Sequence, residues 1–218
     1  MDSRSTGRVI GLMVLLQFAV GFSVNMVLTA PLFGDPGYLY TAAENGLQVG
    51  IAALIAVVGM VISVAVAALA YPVLNARSMR MAIAYVVLVA IGAALSGVEH
   101  GGLLAMRAFS EAYASGGDDQ ALFESLFVVG ALMRNGMHHL GLLVSGVTLG
   151  LWYLCMYRFA LLPKAIAVLG LLAVALQLFT ISQPVMGGDV NFTLLLPLAL
   201  AQLIQGGWLL VKGFPQSP

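Results

Sequence analysis

The chain has 218 residues, of which 61% are hydrophobic and only 8% are charged. Soluble domains carry about 25% charged residues, so this composition excludes an ordinary water-soluble domain and indicates lipid as the main solvent. The formal net charge of zero gives no electrostatic reason to expect a nucleic-acid partner. The single cysteine, Cys155, excludes an intramolecular disulfide and any Cys-x-x-Cys metal or redox motif.

Six long apolar runs follow one another along the chain, and each is long enough to cross a membrane. A helix rising about 1.5 Å per residue needs roughly 20 residues to cross a hydrocarbon core of about 30 Å. The runs are continuous rather than alternating, which predicts helices and not a barrel. We predict spans at residues 8–29, 47–71, 81–104, 120–157, 164–182 and 192–211. The sequence thus predicts an all-α membrane protein, one domain of residues 1–218 built as a bundle of six transmembrane helices.

The first span follows Arg4 and Arg8 and could be mistaken for a secretory signal. Its apolar run exceeds the roughly 7–15 residues of a signal core. We therefore predict an uncleaved transmembrane helix.

The fourth span is longer than a membrane requires. Residues 120–133 are apolar apart from Glu124 and lead directly into the span through Arg134, Asn135 and Gly136. A helix over residues 119–158 would measure about 60 Å, twice the hydrocarbon core. We predict that this helix continues on the outer side, with a bend or tilt near Gly136, because one glycine weakens a helix without ending it.

The charged residues are sorted by sign between alternate loops. Basic residues on one side are Arg4, Arg8, Arg77, Arg80, Arg158, Lys164 and Lys212. Acidic residues on the other side are Asp35, Glu44, Glu111, Asp118, Asp119, Glu124 and Asp189, with Arg107 as the main exception. The positive-inside rule makes the basic side cytoplasmic, which predicts that both termini are inside.

The histidines lie at matched depths in consecutive spans. Glu99 and His100 follow Arg80 by 19 and 20 residues, and His139 and His138 precede Arg158 by the same intervals. At about 1.5 Å per residue both pairs lie about 29 Å from the cytoplasmic boundary. Consecutive antiparallel helices usually pack as neighbours, so these side chains are expected to meet near the outer edge of the membrane.

Other polar residues reach a similar depth and predict an outward-facing polar pocket. Its predicted lining is Asn25, Glu99, His100, Arg134, Asn135, His138, His139 and Gln183. Ionisable groups inside spans are by default candidates for function. Two interpretations remain open: a binding site for a small molecule or ion, or a solvated rim holding a structural Glu99–Arg134 or Glu99–histidine pair.

A bound metal or haem is the alternative. Adjacent His138 and His139 project about 100° apart on a helix, so Glu99, His100 and His139 form the more plausible metal-ligand set. Two histidines facing each other across helices would suit axial haem ligation. The sequence contains no His-Glu-x-x-His, Gly-x-Ser-x-Gly or phosphate-binding loop, so an enzyme is not favoured and no resident cofactor is expected.

The sequence of the second half resembles a known bacterial membrane-protein family, domain of unknown function 4386. The motifs are His139-Leu140-Gly141-Leu142-Leu143, Gly150-Leu151-Trp152-Tyr153-Leu154 and Tyr157-Arg158-Phe159-Ala160-Leu161-Leu162-Pro163-Lys164, with a similar ending from Leu194 through Pro197 to Phe214. The resemblance covers nearly the whole chain. It implies a six-span bundle in the bacterial cytoplasmic (inner) membrane and implies no activity. The His138-His139 pair is not part of the family pattern.

These observations together favour a non-enzymatic multi-pass protein that binds a small or lipid-like ligand, or an accessory protein that contacts other membrane proteins. Its expected surroundings are the lipid bilayer. Homodimerisation through close glycine spacings such as Gly97-x-x-x-Gly101 is a further possibility. The competing hypothesis is a metal- or haem-dependent membrane enzyme that uses Glu99, His100 and His138 or His139.

Overall fold

A computed structural model describes residues 2–116 and 119–215, and in these residues the regular structure is helical. The helices are α1 (Ser3–Phe22), α2 (Tyr38–Thr41), α3 (Gly46–Asn75), α4 (Met79–Ala114), α5 (Gln120–Arg158), α6 (Lys164–Val185) and α7 (Leu196–Lys212). A π-helix (Ser23–Thr29) and a 3-10 turn (Ala30–Phe33) prolong α1, and another 3-10 turn (Phe192–Leu195) leads into α7. Asp118, predicted in an outer loop, lies outside the described residues.

The six predicted spans are confirmed as helices. Among the described residues, 6 helical segments are long and apolar enough to cross a membrane: Ser3–Phe33, Gly46–Asn75, Met79–Ala114, Gln120–Arg158, Lys164–Val185 and Phe192–Lys212. Their length and apolar composition make the protein a multi-pass membrane protein. The side on which the termini lie stays a prediction.

Two helices extend well beyond the length of a membrane crossing. The extended fourth span is present as α5, whose 39 residues run without interruption through Gly136. The third predicted span, residues 81–104, lies within α4, which continues to Ala114. Its charged turn is helical, and on it Arg107 and Glu111 pair at the i,i+4 spacing, with Nε and Oε1 2.6 Å apart. Charges that suggested a loop therefore lie on a helix.

The described helices contribute to two compact units. Unit 1 contains residues 1–18, 61–93 and 139–218, and unit 2 contains residues 19–60 and 94–138. The expectation of a single domain stays a prediction.

Unit 1 packs its helices closely around large buried side chains. Trp152 is buried, donates from Nε1 to Oε1 of Gln205 at 3.0 Å, and has its ring 5.3 Å from that of Tyr85. A side chain at Gly11 would meet the backbone of α7, since a Cβ there would lie 2.7 Å from the Gly206 carbonyl oxygen. Glycine at this position therefore lets α1 and α7 approach each other closely.

Arginines of α1 also donate hydrogen bonds to the last carbonyls of α7. Arg4 donates from Nε to the carbonyl of Lys212, and Arg8 donates from Nη2 to the carbonyl of Val211. The last carbonyls of a helix lack intrahelical donors, and basic side chains satisfy them. These arginines thus cap the C-terminal end of α7, in addition to contributing to the charge pattern from which the orientation is predicted.

Unit 2 has a smaller apolar cluster, formed by Leu32, Tyr38, Ala42, Val49, Leu103 and Met106. The short helix α2 is fixed to α4 by polar contacts with backbone. The buried Tyr38 hydroxyl donates to the Leu103 carbonyl at 2.9 Å, and the buried Ser110 hydroxyl donates to the Leu39 carbonyl at 2.7 Å. These bonds hold the segment after α1 against α4.

Candidate functional site

An ionic cluster lies in unit 2 between α4 and α5. The Glu99 carboxylate oxygen Oε1 is 2.9 Å from Arg134 Nη2 and 2.9 Å from His138 Nδ1. The Glu99 and Arg134 side chains are only 9% and 11% exposed, while that of His138 is 28% exposed. We call Glu99, Arg134 and His138 the ionic trio. Its carboxylate is almost fully removed from solvent and receives two donors.

The trio forms because of helical register. Arg134 and His138 are four residues apart on α5 and therefore project from the same face of the helix. Gly102, one turn after Glu99 on α4, leaves room for this face, since a Cβ there would lie 3.4 Å from the Cβ of Arg134. The matched depths in the sequence thus correspond to a contact in the structure.

Arg134 is held on several sides but keeps one donor unsatisfied. Its guanidinium carbon lies 5.4 Å from the centre of the Phe33 ring, within the range of a cation–π interaction. Its Nη1 donates to the side-chain oxygen of Asn135 at 3.2 Å. Its Nε is buried and has no hydrogen-bond partner among the described residues. Buried polar atoms normally have a partner, so this unsatisfied N–H is an exception among the buried groups of unit 2.

Aromatic residues of the segment after α1 border the trio, and the sequence analysis missed them. The Phe33 ring lies 4.8 Å from that of Tyr38, which in turn is 6.2 Å from the Phe127 ring. Burial raises the pKa of Tyr38 to about 12, although the charges of Arg134 and Arg107 act to lower it. Tyr38 is therefore a neutral hydrogen-bond donor at physiological pH. Aromatic enrichment at membrane interfaces was the available signal.

The remaining predicted residues are distributed as follows. Asn135 joins the trio through Arg134. His100 directs Nδ1 to the carbonyl of Ser96, 2.8 Å away on its own helix. Asn25 lies in the π-helix and donates to the Gly21 carbonyl at 2.9 Å. His100 and Asn25 are thus bonded to their own helices rather than directly to the trio.

His139 and Gln183 belong to unit 1, where Gln183 donates to the Phe179 carbonyl at 3.2 Å. Their place in a common pocket with the trio stays a prediction.

The geometry gives no particular support to a metal site. Among the described residues, no group of three or more His, Cys, Asp or Glu side chains is arranged to hold a metal ion. A divalent cation on Glu99 would also have to displace the guanidinium of Arg134, since like charges repel at this distance. Metal or haem binding stays a prediction, to be tested by metal analysis and an absorption spectrum of the purified protein.

The apolar helices and the buried ionic trio define a multi-pass helical membrane protein. A family model described as a domain of unknown function, DUF4386, matches residues 9–213. The chain therefore belongs to this family, which confirms the resemblance found in the sequence. Comparisons with curated proteins and with solved structures gave no match.

Proposed function

We propose that this protein is a non-enzymatic component of the bacterial cytoplasmic membrane, with both termini in the cytoplasm, that binds a small or lipid-like ligand through the ionic trio. The ligand carries carboxylate or phosphate oxygens. The observation that carries the proposal is the buried Nε of Arg134. This N–H has no hydrogen-bond partner among the described residues, although other nitrogens of the same guanidinium are paired.

Stability alone is a poor reason for such a trio. Replacing a buried ion pair by apolar residues of similar volume is often neutral or stabilising, because desolvation of the charges offsets their attraction. Ionisable residues within spans are accordingly rare and usually functional. A chain that is 8% charged nevertheless places Glu99 and Arg134 where both are almost buried.

The donors of the trio favour a ligand with acidic oxygens. Glu99 is already paired with Arg134 and His138, and His138 is the most exposed member, at 28%. Arg134 supplies directional N–H donors that suit carboxylate or phosphate oxygens.

The test uses the full chain in detergent with octanoate as the probe. We expect octanoate to raise the thermal midpoint by several degrees, since a ligand that binds only the folded state stabilises it. The double variant Glu99→Gln, Arg134→Gln should lose this shift. The control Arg107→Gln, whose partner Glu111 is exposed, should keep it. An equal shift in the double variant would refute the site.

The orientation is tested separately. A reporter fused after Phe214 should be active in the cytoplasm, and a reporter inserted in the loop at Gly188 should be active outside. The reverse result would overturn the assignment of sides.

A second candidate function, contact with a second copy of the chain, has its own observation. Leu122, Leu126, Val129 and Met133 form a stripe on α5, and their exposed fractions are 53%, 39%, 55% and 66%. Their 4-3-4 spacing is that of a coiled-coil contact. About 20 residues before Arg158 fill the hydrocarbon core, so the stripe lies beyond it, where exposed apolar side chains indicate an interaction surface.

Two copies inserted with the same topology are related by a two-fold axis along the membrane normal, which places Val129 opposite Val129. In a Cys155→Ser background, Val129→Cys should form disulfide-linked dimers in membranes. Val128→Cys is the matched control, since Val128 is also 55% exposed but projects about 100° away. Equal cross-linking of both variants would contradict dimerisation through this stripe.

A further inference from the structure

Unit 1 contains a cavity of about 380 Å³ between the first turn of α1 and the last turns of α3. Its apolar lining includes Ala68, Leu69, Pro72 and Val73, and its polar lining includes Ser3 and Arg77. We propose that this cavity holds one anionic phospholipid, with the phosphate on Arg77 and the start of an acyl chain against the apolar residues. The site is separate from the ionic trio and does not depend on the function proposed for it.

The order of polarity along α3 matches the order of groups in a phospholipid. From Ala68 to Asn75, where α3 ends, the helix rises about 10 Å at 1.5 Å per residue. The lining changes from apolar side chains on this part of the helix to the guanidinium of Arg77, two residues after its end. Ala68 and Pro72 are exposed and Leu69 is partly exposed, so an acyl chain can reach them from the surrounding lipid.

Arg77 is positioned to bind a phosphate. Its Nη1 donates to the Val73 carbonyl at 2.9 Å, which fixes the guanidinium close to the last turn of α3. A guanidinium has five N–H donors, and several can serve a phosphate in the paired geometry that arginine favours. Among the lining residues that the structure describes, Arg77 is the charged one. Basic pockets between transmembrane helices are a recurrent form of anionic lipid site.

The first turn of α1 brings two hydroxyl side chains to the cavity, those of Ser3 and Thr6. The Ser3 hydroxyl adds a further donor, whereas that of Thr6 already donates to the Asp2 carbonyl.

Two charged side chains near the start of α1 are already engaged in hydrogen bonds. Asp2 accepts from the Ser5 backbone N–H through its carboxylate, and Arg4 is bonded to the end of α7. The volume lies at the lower end of the roughly 300–1,000 Å³ typical of small-ligand sites. It suits a headgroup and the first part of a chain rather than a whole lipid.

The experiment measures lipid retention on the full chain by native mass spectrometry, after exchange into detergent with palmitoyl-oleoyl phosphatidylglycerol or the corresponding phosphatidylcholine. We expect one phosphatidylglycerol to be retained in preference to phosphatidylcholine. Arg77→Gln should weaken its retention by about tenfold, the loss of a charge-assisted contact of roughly 1.4 kcal/mol. The matched control Arg80→Gln, an exposed arginine that does not line the cavity, should change it less than twofold.

A second variant tests the acyl part while keeping every charge. Ala68→Leu fills the apolar side of the cavity and should also lower retention, which decides the question even if Arg77→Gln folds poorly. Equal losses in Arg77→Gln and Arg80→Gln, or undiminished retention in Ala68→Leu, would overturn the site. Displacement of phosphatidylglycerol by millimolar inorganic phosphate would show that the ligand is free phosphate and refute the lipid assignment.

Discussion

Unit 1 and unit 2 differ in the kind of polar side chain that they bury. In unit 1 the buried polar side chains are neutral, and Gln205 bonds to Trp152 while Gln177 Nε2 donates to the Leu142 carbonyl. The Tyr153 hydroxyl and Gln177 Oε1 have no partner among the described residues. In unit 2 the almost buried polar groups include a carboxylate and a guanidinium. Neutral pairs in membranes contribute modestly and without a large desolvation penalty, whereas charged groups are retained mainly for function.

The glycines show the same contrast in packing. In unit 1, added Cβ atoms would meet α7 backbone at Gly11, the Leu178 side chain at Gly146 and the Tyr153 ring at Gly170. In unit 2, Gly21, Gly50 and Gly101 have nothing within 4 Å of the corresponding position. The closest approaches of a glycine to the backbone of another segment thus lie in unit 1, whereas in unit 2 Gly46 and Gly59 meet side chains, at 3.0 Å.

The largest expected effect comes from breaking the ionic trio. Arg134→Leu should lower the free energy of unfolding by about 3–5 kcal/mol, because it leaves the Glu99 carboxylate buried without its strongest partner. The double variant Glu99→Leu, Arg134→Leu should recover most of this loss, since it removes both charges. Denaturant unfolding in micelles measures both values. A double variant as unstable as the single one would mean that the trio is a structural requirement of unit 2.

Glycine substitutions on α1 provide the second test. Gly11→Ala should destabilise by about 1–3 kcal/mol, as overpacking does, because the α7 backbone cannot move aside. Gly21→Ala on the same helix has open space and should stabilise by about 0.5–1 kcal/mol through helix propensity. Thermal midpoints of the two variants measure the difference. Similar midpoints would show that unit 1 is not the more tightly packed unit.

The smallest effect concerns Tyr38. Tyr38→Phe should lower stability by about 0.5–1.5 kcal/mol through loss of the hydrogen bond to Leu103. Because the pKa is raised to about 12, the contribution of the neutral phenol is complete below the ordinary value near 10 and is lost as the pH rises through about 12. The difference in absorbance at 295 nm between the native protein and Tyr38→Phe should titrate near pH 12. A midpoint near 10 would show that Tyr38 is exposed to solvent.

The depth of the site residues along their helices was predictable from the sequence. Counting from Arg80 and Arg158 placed Glu99 and His138 at one depth, and the structure joins them. The positions of Phe33 and Tyr38 beside the trio were not predictable, because they depend on how the segment after the π-helix packs against α4. The sequence also did not show that α4 continues past the predicted span to Ala114, where Arg107 pairs with Glu111 and donates to the Gly46 carbonyl.

The sequence by itself determined that lipid surrounds the helices, where the six spans lie and which family the chain belongs to. Hydropathy identifies the spans, and the fixed rise per residue locates each side chain along its helix. Only the tertiary structure decided that His138 hydrogen-bonds to Glu99 while His100 turns to its own backbone, and that Arg77 borders a cavity. The direction in which a side chain points around its helix acquires meaning only when a neighbouring helix packs against it.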